Sequence, residues 1–158
     1  MGNIFAGSEI VELGIEIEKN GRDFYNVLTK QSKNLKAKEL FKYLAGEEEK
    51  HIAAFQKILG SVEKHEPESA YPDEYLAYMN ALASEHVFTQ ANKGKEIAQK
   101  IKTNNEAVDV GIGFEKDSII FYEGMKRVVR AYDYKVVDEL IAQEKSHLIK
   151  LAELKKIL

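Results

Sequence analysis

The sequence repeats itself, and the repeat constrains the fold more than any other feature. Residues 14–25 read GIEIEKNGRDFY and residues 111–122 read GIGFEKDSIIFY. Gly14/Gly111, Ile15/Ile112, Glu18/Glu115, Lys19/Lys116, Phe24/Phe121 and Tyr25/Tyr122 match at a constant offset of 97. Unrelated segments of this length would share about one position at ordinary residue frequencies. Further along, Glu48–Glu49–Lys50–His51 has its counterpart in Glu144–Lys145–Ser146–His147, at an offset of 96. Two copies of one unit, each made of two matched segments, point to a duplicated hairpin.

The segments are helical. The chain's two prolines, Pro67 and Pro72, lie close together, so long stretches on either side are free of helix breakers. Apolar residues recur at helical spacing and β-branched alternation is scarce. The pattern predicts a first helix over about 8–31 with Ser8 as its cap, and a second over about 35–59, stopped by Gly60. A third helix should run from Pro72 to about Gln90, with a further turn or two over 93–102. A fourth, capped by Asn104 or Asn105, should reach about Arg130, and a last one, capped by Asp133, should reach the C-terminus. The expectation is an all-α single domain over residues 1–158. It consists of hairpin A/B (about 8–60), a long helical crossover (about 61–104) and hairpin C/D (about 105–158). A ferritin-like four-helix bundle has such a crossover, and so would a generic up-down bundle with a decorated loop.

The repeated polar residues separate these alternatives. Glu18 and Glu48 lie equally far from the first predicted turn, so an antiparallel hairpin sets them at one height. Glu115 and Glu144 do the same in the second hairpin. Glu18 interrupts an apolar stripe of Val11, Ile15 and Leu28, and Glu115 one of Val108, Ile112 and Met125. In each Glu-x-x-His pair the two side chains project from one helix face. A buried carboxylate must be paired, protonated or bound to a cation. Four at one level, with no Lys or Arg at the inward positions, call for added positive charge. One Glu from each of two helices plus Glu-x-x-His from each of two others is the carboxylate pattern that holds two iron ions. The candidate metal ligands are therefore Glu18, Glu48, His51, Glu115, Glu144 and His147. Zinc or manganese could substitute for iron on these donors. Gly14, Gly111, Gly21 and Ser118 are small residues that would allow close helix approach. Tyr25 and Tyr122, two turns beyond Glu18 and Glu115, are placed to hydrogen-bond the ligating carboxylates. His65 and His86 have no repeat partner and read as surface histidines, and Glu47 and Glu49 as solvated.

Composition narrows the chemistry further. With no cysteine, disulfides, thiolate zinc sites and iron–sulfur clusters are impossible. A net charge of −3 without a basic stripe offers nothing to nucleic acid, and no apolar run is long enough to span a membrane. The start of the chain lacks the charged and apolar regions of a secretory signal. A cysteine-free chain needs no oxidising compartment, so a cytoplasmic location is expected.

The two Phe-Tyr-bearing segments and the two Glu-x-x-His motifs resemble the diiron domain of the rubrerythrins. The resemblance covers both hairpins and leaves the crossover weakly matched. It implies a non-haem diiron centre on the same six residues that reduces peroxide or reacts with dioxygen, using electrons from a redox partner. A homodimer is expected. Two departures stand out. Rubrerythrins carry an additional glutamate three residues before the helix C glutamate, where this chain has Ile112, so its six-ligand set is closer to that of bacterioferritins. Classical rubrerythrins also carry a four-cysteine rubredoxin domain; without cysteine this chain cannot hold that centre, so electrons are expected to come from a separate, unknown donor. The competing expectations are a ferroxidase that handles iron and a non-catalytic metal-binding bundle.

Overall fold

The computed structural model describes residue 4, residues 6–65 and residues 71–158. Helix α1 spans Gly7–Gln31, α2 Leu35–Lys64, α3 Asp73–Glu85, α4 Lys93–Lys100, α5 Asn104–Met125 and α6 Tyr134–Ile157. Short 3-10 turns cover Val87–Thr89, Lys126–Val128 and Ala131–Asp133. No strand occurs among the described residues, and no helix there is long and apolar enough to cross a membrane.

Helices α1 and α2 form the first hairpin. The Asn34 side chain caps α2 by accepting from the Ala37 N–H at 3.0 Å. Helices α5 and α6 form the second, and α1 packs against α5 and α2 against α6. The crossover lies mainly over α1 and α5: α4 and the Val87–Thr89 turn pack on α1, and α3 on α5. Between them runs one apolar core that includes Phe24, Phe41, Phe55, Phe114 and Phe121.

Several expected boundaries move, each for a local reason. Ser8 lies inside α1, whose cap position is Ala6. Gly60 does not stop α2, which continues through it to Lys64. The glycine costs about 1 kcal/mol there, but continuing the helix carries Val62 back into the buried stripe of Phe55 and Ile58. The first hairpin is thus one turn longer than expected. Pro72 precedes α3 rather than opening it, and α3 ends at Glu85 instead of near Gln90. Thr103, not an asparagine, caps α5: its Oγ1 accepts from the Glu106 N–H at 3.1 Å, while the Glu106 carboxylate accepts from the Lys102 N–H. Helix α5 tightens into a 3-10 turn after Met125, short of Arg130, which brings Val128 and Val129 into the core. Asp133 occupies the cap position of α6 without a capping hydrogen bond. Pro67 and the rest of 66–70 lie outside the described residues.

One contact fixes the crossover in place. Asn20, inside α1 and 1% exposed, donates from Nδ2 to the Phe88 carbonyl at 2.7 Å and to the Gln90 carbonyl at 2.8 Å. Its Oδ1 accepts from the Gly94 N–H at 2.8 Å. A Cβ on Gly94 would fall 1.9 Å from the Asn20 carbonyl oxygen, so only glycine allows α4 to approach this closely.

Candidate metal centre

Each helix of the bundle brings its polar residue inward because the neighbours three, four and seven positions away are core residues. Glu18, Glu48, Glu115 and Glu144 are all 0% exposed, and His51 and His147 are 1% exposed. The six converge as two quartets. Glu18, Glu48, His51 and Glu144 place one donor atom each within 4.8 Å of one another, as do Glu48, Glu115, Glu144 and His147. Glu48 and Glu144 belong to both groups. Each quartet therefore has one imidazole, one carboxylate of its own and two shared carboxylates.

Distances bear out this near-symmetry. His51 Nδ1 lies 2.8 Å from Glu144 Oε1, 3.4 Å from Glu18 Oε2 and 3.7 Å from Glu48 Oε2. His147 Nδ1 lies 3.5 Å from Glu48 Oε1, 3.6 Å from Glu144 Oε1 and 3.7 Å from Glu115 Oε1. The two imidazoles stack with centroids 5.6 Å apart. The tyrosines cross over between the halves. Tyr25 of α1 donates to Glu115 Oε1 of α5 at 2.8 Å, and Tyr122 of α5 donates to Glu18 Oε1 of α1. The repeated glycines make room for them: Gly14 faces the Tyr122 ring, and Gly111 lies against the Tyr25 hydroxyl.

The electrostatics are those of a site short of positive charge. Burial, then the Glu18 charge, pushes Glu48 well above the usual carboxylate range; burial, then the Glu115 charge, does the same to Glu144. Burial also acts to raise Glu18, but the adjacent Glu48 carboxyl, the His51 charge and the Tyr122 hydroxyl together hold it low. Burial opposes the charging of His51, yet the Glu18 charge and the nearby Glu144 carboxylate raise it. His147 is raised against burial by the nearby Glu115 carboxylate. Burial and the adjacent carboxylates keep both tyrosines as neutral phenol donors. The protein's own groups can balance the cluster only by holding protons.

Metal ions would replace those protons. Glu18 Oε2, both oxygens of Glu48, Glu115 Oε2, both oxygens of Glu144 and Nδ1 of each histidine are buried without a hydrogen-bond partner. Buried polar atoms are rarely left so, and these are the atoms that point into the two quartets. The oxygens that do have partners, Glu18 Oε1 and Glu115 Oε1, are held by the tyrosines. Outside the cluster, His51 Nε2 meets Gln143 Oε1 at 2.6 Å. That contact makes Nε2 the donor and leaves Nδ1 as the ligand atom. Mixed carboxylate and imidazole donors in this number suit iron, manganese or zinc.

Other residues land differently from expectation. His86 is not on the surface: it is 2% exposed, below the end of α3. Its Nδ1 accepts from the Phe88 N–H, and its Nε2 lies 3.4 Å from Ser118 Oγ. Burial pushes its pKa down to about 4, with the Glu18 charge opposing. It is not one of the clustered donors. His65 and Glu49 are exposed as expected, whereas Glu47 is half-buried beside His51. Ile112 packs partly buried against the core. Asn20 and Gln143 were missing from the expected set. A mid-helix asparagine, a poor helix former, was the available signal for the first, while nothing in its spacing marks the second.

Comparisons with known proteins agree with this geometry. A crystal structure of a candidate ferritin-like diiron-carboxylate protein from Thermotoga maritima matches with a TM-score of 0.71 and 28% identity, over 99% of this chain and 98% of that one. No curated protein matches by sequence. The family model described as Rubrerythrin matches residues 9–155.

Proposed function

The chain belongs to the rubrerythrin family, and from that premise we propose that it is a diiron oxidoreductase that reduces hydrogen peroxide or reacts with dioxygen. The observation that carries this reading is the pair of quartets sharing Glu48 and Glu144, with their inward donor atoms buried and unpartnered. Glu18, Glu48, His51 and Glu144 would hold one iron; Glu115, Glu48, Glu144 and His147 the other. When bound, two ferrous ions would supply two electrons to the O–O bond of peroxide, which with two protons leaves as two waters.

The chain's residues prepare the site for that chemistry. Tyr25 and Tyr122 orient Glu115 and Glu18 and stay protonated. Gln143 fixes the ring of His51. The surrounding aromatic core keeps bulk water away from the carboxylates. With no cysteine in the chain, electrons would be delivered by a separate donor. A cytoplasmic homodimer fits this role. Stopped-flow mixing of the diferrous protein with peroxide tests it: oxidation should be much faster than for free ferrous ion, and an equal rate would refute it.

Ile112 favours a second reading. An apolar residue stands where rubrerythrins have their additional glutamate, which leaves a six-ligand set suited to oxidising and passing on iron. Light scattering separates the two. A dimer fits the peroxide reading, and a closed shell of many subunits fits storage.

A further inference from the structure

The two imidazoles meet the surface differently. Between α2 and α6 lies a groove of about 430 Å³ whose walls include Glu47, Lys50, His51, Ala54, Glu139 and Gln143. At its floor the His51 ring is the partition. Nε2 points to Gln143 at the rim, and Nδ1 points to the carboxylates. The duplication predicts a second such groove over His147, with Tyr43 in place of Glu139 and Lys150 in place of Ala54. Those two replacements stand over its expected mouth. The Tyr43 ring meets the His147 ring edge-on at 6.2 Å between centroids, and Lys150 Nζ sits 5.5 Å above the Tyr43 ring. A large aromatic capped by a long cationic side chain thus stands where the other mouth has a glutamate and an alanine.

We propose that the groove over His51 is the port through which divalent cations enter the centre, and that Tyr43 and Lys150 close its twin. This rests on the metal-centre reading and adds a direction to it: cations reach the His51 side first. The mouths differ in charge as well as in space. The open one carries Glu139, which attracts cations; Glu47 lies between the two mouths, beside His51 and beside Tyr43, and is paired to Lys50 at 3.5 Å. The closed one presents Lys150, which repels them. Gln143 is exposed and bonds the outer nitrogen of His51, so it is the positioning residue at the threshold.

The test is the rate of Co(II) uptake by chelator-stripped protein, followed by cobalt d–d absorption, with the equilibrium stoichiometry measured alongside. The double variant Ala54→Lys/Glu139→Tyr copies the closed mouth onto the open one. It should slow uptake about tenfold, within the range over which substitutions change association rates, and leave stoichiometry unchanged. The converse variant, Tyr43→Glu/Lys150→Ala, should speed uptake, and it decides the matter if the first variant does not fold. Wild-type rates in the folded variants, with full stoichiometry, would overturn the port and leave the metal centre standing. Failure of the wild-type protein to bind Co(II) at all would remove the centre and the port with it.

Discussion

The two hairpins share an interior and differ on their outer faces. Inside, each supplies a glutamate from its first helix, a Glu-x-x-His from its second, and a tyrosine that reaches across to the other's carboxylate. Outside, Asn20 of α1 is buried under the crossover, bonded to three of its backbone groups. Its counterpart, Asp117 of α5, lies by a small surface pocket next to His86. Gly21 lies beneath the Phe114 ring, while its counterpart Ser118 reaches toward His86. Positions that face the carboxylates are tied to one another by charge and cannot change singly. Positions under the crossover answer to whichever segment covers them, and the crossover covers each hairpin with a different segment.

Substitutions at matched positions of the two halves should have their largest effect at the shared carboxylates. Glu48→Gln or Glu144→Gln removes a carboxylate shared by both quartets. Each should weaken metal binding at both positions by a hundredfold or more, on the order of 3 kcal/mol, measured by titration calorimetry. Glu18→Gln or Glu115→Gln should affect mainly one position, and equal effects from the two would show the quartets to be equivalent. Asn20→Asp, the residue of the twin helix, sets a carboxylate against the Phe88 and Gln90 carbonyls. It should cost about 3 kcal/mol in a denaturant melt, while Asp117→Asn should stay within about 0.5 kcal/mol.

Two pH effects of opposite sign sharpen the contrast between interior and crossover. Glu48 and Glu144 have raised pKa values in the fold, as do His51 and His147. The stability from such groups is full below their unfolded pKa and is lost as pH rises through the folded one. The metal-stripped protein should therefore lose thermal stability from about pH 4.5 upward, while Glu18, whose pKa is lowered, acts below that pH, where its contribution is lost as pH falls. Bound metal displaces those protons and should flatten the curve. His86, lowered to about 4 by burial, acts the other way. Its contribution is present above about pH 6.5 and is lost as pH falls toward 4, by about 2 to 3 kcal/mol. A His86→Gln variant should lose that acid limb in a Tm-against-pH series. A smaller effect on the centre is expected from Tyr25→Phe and Tyr122→Phe. Each removes one hydrogen bond to a carboxylate, at about 1 kcal/mol of stability and about tenfold in metal affinity, with the two variants alike.

Much of the interior was legible because a buried carboxylate is conspicuous. Glu18 and Glu115 stand in apolar stripes where only a strong compensating interaction tolerates them, and the second copy of Glu-x-x-His removed the ambiguity of a single one. The outer features were harder to read. Gly60 carries the usual stop signal, but a buried Val62 two residues later outweighs it. Thr103 and Glu106 form a capping pattern that competed with two adjacent asparagines. His86 is buried by a change of chain direction after α3, which no helical spacing foretells. Gln143 matters through one hydrogen bond across the α2/α6 groove, a contact set by how two helices pack rather than by its neighbours in the chain.

The centre of the bundle requires its buried anionic groups to be balanced by cations. The most direct measurement is the metal content of protein made in iron-supplied, low-oxygen culture and purified without chelator. Two irons per chain, lost together in Glu48→Gln, is the predicted result. A folded protein that carries no metal, and takes up none when ferrous ion is supplied without oxygen, would contradict it.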